Sequence, residues 1–299
     1  MLPGEYARSA LKRGLEFDAS RGINPFKFGM IGSTDTHTAL STSAENNFFG
    51  KMATKEPKPG RAAGNEKENR ELGIKRLSWQ TAAAGVVAVW AKENTRGEIF
   101  DAMQRKETFA TTGPRIRVRF FGGFEFTEAD ARTRQPAVLG YRKGVPMGGD
   151  LTVAPKGKAP TFLVAAMKDP ESGNLDRIQI VKGWLDAKGK AQEKVYDVVW
   201  GDADKRKLDR KGTLPAVGNT VDARTATWTN TIGDAELITV WKDPDFDPSV
   251  KAFYYARVLE IPTPRWTTYD AARFGEEIPQ GAPVSLQERA YTSPIWYTH

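Results

Sequence analysis

Apolar residues near the start of the chain recur at three- and four-residue spacing, at Tyr6, Ala7, Ala10, Leu11 and Leu15, and predict a helix from Pro3 to Asp18. Gly14 weakens it by about 1 kcal/mol relative to alanine. Arg21-Gly22 and Asn24-Pro25 stop the helix and feed an apolar run, Phe26 to Ile31, read as a strand. Lys51 to Arg76 is polar, with a helical turn expected near Glu66 to Leu72. This excursion has two open readings, a flap over a ligand site or a solvated insertion. Val86, Val87, Val89 and Trp90 make Ala84 to Ala91 a buried strand. Thr95 and Glu98 have the spacing of a capping box, and Ile99, Phe100, Ala102 and Met103 supply the inner face of the helix that follows. Phe109 to Thr112 closes this βα unit as a short strand.

From Arg115 the period changes. Arg115 to Phe120 alternates strictly, as do Phe162, Val164 and Ala166, and then Ile178 and Ile180. Asp186 to Lys190 is a hairpin turn leading into a strand from Val195 to Trp200. Further strands are expected at Thr225 to Thr231, Glu236 to Trp241 and Ala252 to Ile261. Repeated strands with almost no helical period predict an antiparallel β-sandwich over residues 114–299. With a mixed first domain over residues 1–113, the class is α+β and the boundary falls near Gly113-Pro114.

Charge and composition mainly exclude. The net charge is +7, but acidic residues are interleaved throughout and no nucleic-acid-binding signature accompanies it, so no nucleic-acid partner is expected. The absence of cysteine removes disulfides and thiolate ligands, leaving oxygen and nitrogen donors. No apolar run approaches the roughly 20 residues of a membrane span. Met1 to Tyr6 lacks the basic and apolar regions of a signal peptide, which leaves open whether a longer parent protein is exported.

Candidate chemistry centres on Asp35-Thr36-His37. His37 is the only histidine before His299. On an extended segment, residues two apart point to one side, and carboxylate plus imidazole suits zinc, manganese or iron. The same pair also reads as a strand-end histidine bonded to its neighbouring aspartate. Arg115, at the domain junction, reads either as a clamp for an anionic substrate group or as a surface arginine. Asp243 to Pro248 gathers carboxylates without the spacing of a calcium loop. Trp184, Trp200, Trp228 and Trp241 fit a core more readily than a sugar-stacking platform. No phosphate loop, Gly-x-Ser-x-Gly elbow or Ser-His-Asp triad can be assembled.

Asn24 to Thr38, with Phe28-Gly29-Met30-Ile31-Gly32-Ser33-Thr34-Asp35-Thr36-His37 at its centre, resembles the final metal motif of the PHP (polymerase and histidinol phosphatase) metallohydrolase superfamily. Leu40 to Thr42, Asn46 to Lys51, Val89 to Arg96, Ile99 to Met103, Thr108 to Ile116, Leu175 to Trp184 and Glu288 to Tyr297 are similar to one branch of it, DUF3604. The resemblance spans essentially the whole chain. It implies that residues 1–113 are the C-terminal part of a PHP-like α/β barrel, with Asp35 and His37 as metal ligands at a strand end and Ser33, Thr34 and Thr38 orienting them. The implied activity is metal-dependent hydrolysis of a small-molecule ester or phosphoester with zinc or manganese. The superfamily's other ligands include further histidines that this chain does not contain. The chain is therefore expected to be a C-terminal portion completed by an N-terminal companion part or by a homo-oligomer. The alternative is a non-catalytic binding or assembly module built on the sandwich.

Overall fold

A computed structural model describes residues 6–40, 42–69, 73–83 and 85–298. The first helix, α1 (Ala7–Arg21), carries Leu11 and Leu15 one turn apart, both buried against Val181, Phe253, Tyr255 and Trp296. Its expected start at Pro3 lies outside the described residues. Gly22 ends it in the left-handed conformation at φ 70°, with its N–H bonded to Asp18 O at 2.9 Å. A Cβ at Gly14 would lie 2.2 Å from Asn24 Oδ1, so a larger residue there would have to displace the Asn24 side chain.

The strands among the described residues are β1 (Asn65–Asn69), β2 (Ile74–Leu77), β3 (Val86–Val89), β4 (Thr108–Thr111), β5 (Arg117–Gly123), β6 (Gly144–Pro146), β7 (Asp150–Leu151), β8 (Thr161–Met167), β9 (Leu175–Leu185), β10 (Ala191–Trp200), β11 (Glu236–Lys242), β12 (Ala252–Pro264), β13 (Ser285–Thr292) and β14 (Ile295–Tyr297). The remaining α-helices among the described residues are α2 (Arg96–Gln104), α3 (Pro136–Lys143) and α4 (Trp266–Phe274), with short 3-10 turns between elements. An eight-stranded sheet runs β10-β9-β12-β13-β4-β3, with β14 on β12 and β7 on β14. A four-stranded sheet runs β11-β8-β5-β6, and β1 pairs with β2. Every pairing is antiparallel except β14 with β7.

The two larger sheets bury one core. Val118 and Phe120 of β5 and Phe162 and Val164 of β8 meet Ile178 and Ile180 of β9 and Tyr254 and Val258 of β12. The rings of Phe162 and Tyr254, one from each sheet, stand 4.6 Å apart. These are the alternating positions of the sequence, because a period of two puts every second side chain on one face. The result is an α+β fold dominated by strands, with no closed barrel among the described residues.

Several expectations change. Phe26 to Ile31 forms no strand. β3 and β4 flank α2 but pair antiparallel, which is not the geometry of a βα barrel unit. β3 is a sheet edge rather than a buried strand, and Val87 is exposed; Ala84 lies outside the described residues. Strands from both sides of Gly113-Pro114 share the larger sheet, where β4 pairs with β13. On α2, Ala102 is buried while Phe100 and Met103 are exposed, although Thr95 Oγ1 does accept the Glu98 N–H at 3.3 Å. In place of a helical turn near Glu66, residues up to Asn69 form β1; 70–72 lie outside the described residues. Thr225 to Thr231 makes only a bridge, between Asp222 and Thr227. Two helices, α3 and α4, interrupt the all-β reading of the second half.

Candidate functional site

Residues 27–36 cross the fold as an irregular segment outside any ladder, and side chains fasten it. Met30 N–H donates to Ser293 Oγ at 2.8 Å, and Thr108 Oγ1 donates to Met30 O at 3.0 Å. Gly32 lets the segment approach closely: a Cβ there would stand 2.6 Å from Val86 O and 3.0 Å from Thr111 O. Beyond it the backbone turns sharply. Asp35 and Ala39 both adopt left-handed conformations, with φ of 51° and 58°, and His37 lies between them. Such residues cost of order 1 kcal/mol each and persist where their surroundings hold them.

Lys51 is what holds this turn. His37 N–H donates to Lys51 O at 2.8 Å, and Lys51 Nζ donates to Thr34 O at 2.6 Å. Burial pushes the Lys51 ammonium below its ordinary pKa, against the opposing pull of Asp35 and Glu45. Asp35 Oδ1 and His37 Nε2 face each other at 3.7 Å, with side chains 76% and 61% exposed. Two donors about 2.1 Å from one ion at a tetrahedral angle would stand about 3.4 Å apart, somewhat closer than this pair, which is also the spacing of a plain aspartate–histidine contact. A left-handed turn brings these donors together, whereas the sequence suggested a strand end. Among the described residues, no group of three or more His, Cys, Asp or Glu is arranged to hold a metal.

Arg115 belongs to another wall. Its N–H donates to Asp169 Oδ2 at 2.7 Å, and Nη2 reaches Glu171 at 3.1 Å. It lines a cavity of about 330 Å³ shared with Glu45 and Glu288 but with neither Asp35 nor His37. A second cavity, of about 560 Å³, extends from Gly32 and Ser33 to Glu288.

Among the described residues, three buried glutamates whose pKa burial raises escaped sequence reasoning. Burial raises Glu288 to about 7, reinforced by Glu45 and opposed by the Thr112 hydroxyl, Arg265 and Arg289. Burial also raises Glu260 to about 8, with Ser172 donating to it at 2.5 Å. Glu45 is raised by burial against Arg265 and the Trp266 and Ala83 amides. One signal was available for Glu288: it alternates with Ala290 and Thr292, which share its buried face on β13. Glu45 sits in a polar stretch with no such mark.

The acidic run after β11 is spent on protein partners. Asp243 pairs with buried Lys182 at 2.6 Å and accepts the Tyr254 hydroxyl at 2.7 Å, while Asp245 accepts from Lys194 and Tyr196. Trp184 and Trp241 pack against the main core.

A family model described as protein of unknown function (DUF3604) matches residues 1–299. No curated protein and no solved structure matches the chain.

Proposed function

The chain belongs to the DUF3604 family, and from that premise we propose that it forms part of a PHP-like metal-dependent hydrolase acting on ester or phosphoester bonds. The observation that carries the reading is the pair Asp35 and His37, 3.7 Å apart on a left-handed turn clamped by Lys51. Asp35 offers a carboxylate oxygen and His37 a ring nitrogen. Ser33 Oγ, accepting the Asp35 N–H at 3.3 Å, and Lys51 fix the backbone that presents them. A zinc or manganese ion held there would supply Lewis-acid polarisation of the scissile group and a more acidic water.

The other donors come from outside this chain, from an N-terminal companion part or a second copy. In this reading the stacked sheets are the β-sandwich, and β3 and β4 from the first 113 residues extend its larger sheet. Arg115 lies on a different wall from this pair, where Asp169 and Glu171 engage its guanidinium. The second reading, a non-catalytic binding module, draws on the acidic cavity lined by Glu45 and Glu288.

Elemental analysis of the purified protein after incubation with zinc or manganese tests the first reading. Weak, substoichiometric metal is expected, lost in His37→Ala and Asp35→Asn. Hydrolysis of p-nitrophenyl esters and phosphates should be low and should rise, with metal content, when an N-terminal part is supplied. Equal metal in the wild type and both variants would leave the binding module ahead.

A further inference from the structure

Arg289 and Tyr291 leave β13 on the face turned away from the main core. In the register of β12 with β13, Arg257 stands opposite Tyr291 and Leu259 opposite Arg289, while the alternate residues Val258 and Ala290 enter the core. Ala110 of β4 stands opposite Tyr291 on the same outer face. The 560 Å³ cavity is bounded by Arg289, Tyr291 and Ala110 and by Gly32 and Ser33 of the segment that leads to Asp35.

Among the described residues, neither arginine of this face pairs with a carboxylate. Arg257 Nε donates to Gln179 Oε1 at 2.7 Å. The Arg289 side chain makes no hydrogen bond or ion pair among the described residues, and its Nε is buried without an acceptor. Arg61, Arg177 and Arg206, by contrast, each pair with an aspartate. A half-buried guanidinium without a partner is costly, and a ligand that supplies the acceptor removes that cost. Glu288 also lines the cavity, but it takes the buried face of β13 with Ala290 and Thr292 and accepts the Thr112 hydroxyl. Burial favours its neutral form, and Arg289 reaches it only through its field.

We infer that this cavity binds a small organic carboxylate, its carboxyl group on the Arg289 guanidinium and its apolar body against Ala82, Ala83, Ala110, Leu286 and Tyr291. A guanidinium offers a carboxylate two parallel N–H groups, and a cavity of this volume suits a small molecule. Free phosphate would fill little of it and leave the apolar wall uncovered. A neutral compound would leave Arg289 unpaired. Ser33 stands two residues before Asp35, so in the hydrolase reading this is where the anionic end of the substrate sits. That role rests on the metal reading; the binding does not, since neither Asp35 nor His37 lines the cavity.

Titration calorimetry in metal-free buffer with benzoate, its neutral counterpart benzamide and inorganic phosphate tests the binding apart from the metal. Benzoate should bind saturably, and benzamide and phosphate each about tenfold more weakly or worse. Arg289→Gln should weaken benzoate by about tenfold, and Arg289→Lys should recover part of the loss. Ala110→Leu, outside every core cluster, narrows the cavity, should weaken benzoate too and serves if an Arg289 variant fails to fold. Equal affinity for benzoate and benzamide, phosphate bound as tightly as benzoate, or no saturable benzoate binding would each overturn the inference. So would benzoate binding unchanged in Arg289→Gln and Ala110→Leu.

Discussion

Arg61 and Asp270, 209 residues apart in sequence, form a buried two-pronged ion pair, with Nε to Oδ2 at 2.5 Å and Nη2 to Oδ1 at 3.0 Å. The guanidinium also lies over the Trp266 ring, 4.8 Å from its centroid, and donates to Phe48 O at 2.9 Å. Through this contact the polar stretch after Lys51 is fastened to α4 instead of floating in solvent.

Removing one partner strands the other charge. Arg61→Ala should destabilise the protein by about 3–5 kcal/mol. Arg61→Lys should recover only part of that, because an ammonium cannot match the two-pronged geometry. Urea unfolding checks this: the midpoint should fall with the slope unchanged. A loss within measurement error would mean the loop is held by other contacts.

Gly14→Ala separates propensity from packing. Helix propensity alone favours alanine by about 1 kcal/mol. The added Cβ meets Asn24, whose Oδ1 is held by the Phe26 N–H at 2.9 Å. A net loss of about 1 kcal/mol is expected, partly recovered in the double variant with Asn24→Ala. Thermal unfolding of the three proteins gives the sign.

Gly32→Ala should cost about 1–3 kcal/mol, since the backbone of Val86 and Thr111 cannot yield as a flexible side chain would. It should also loosen the turn carrying Asp35 and His37 and lower metal content below wild type. Unaltered stability in chemical denaturation would show that the segment lies farther from β3 and β4.

Stability should fall as pH rises. Glu260 holds its proton up to about 8 in the folded protein, whereas the ordinary glutamate value is 4.5. Between these values the folded state binds more protons than the unfolded one, so the contribution is complete below about 4.5 and lost as pH passes the folded value. Glu288 behaves likewise up to about 7. Each group contributes a slope of about 1.4 kcal/mol per pH unit at its steepest. Unfolding free energies from about pH 5 to about pH 8.5 should therefore decline, and Glu260→Gln should flatten the decline. A wild-type profile as flat as the variant's would count against burial as the cause.

Local pattern determined much of this molecule without help. The four-residue spacing of Leu11 and Leu15, the Thr95 cap, the alternation through Val118, Phe120, Phe162, Val164, Ile178 and Ile180, and the turn at Asp186 to Lys190 are short-range facts of side-chain direction and turn chemistry. So is the nearness of Asp35 to His37, two residues apart. What long-range packing decided lay beyond that reach. Phe26 to Ile31 has the composition of a strand, yet the Met30 backbone bonds to the hydroxyls of Ser293 and Thr108 in place of a ladder. β3 and β4 pair antiparallel because of where the chain returns after α2. The raised pKa of Glu45 and Glu288 depends on their being buried beside one cavity, although they are far apart in sequence. A residue's periodicity announces which face it takes, but what it faces is supplied by distant chain, and only the tertiary structure decides that.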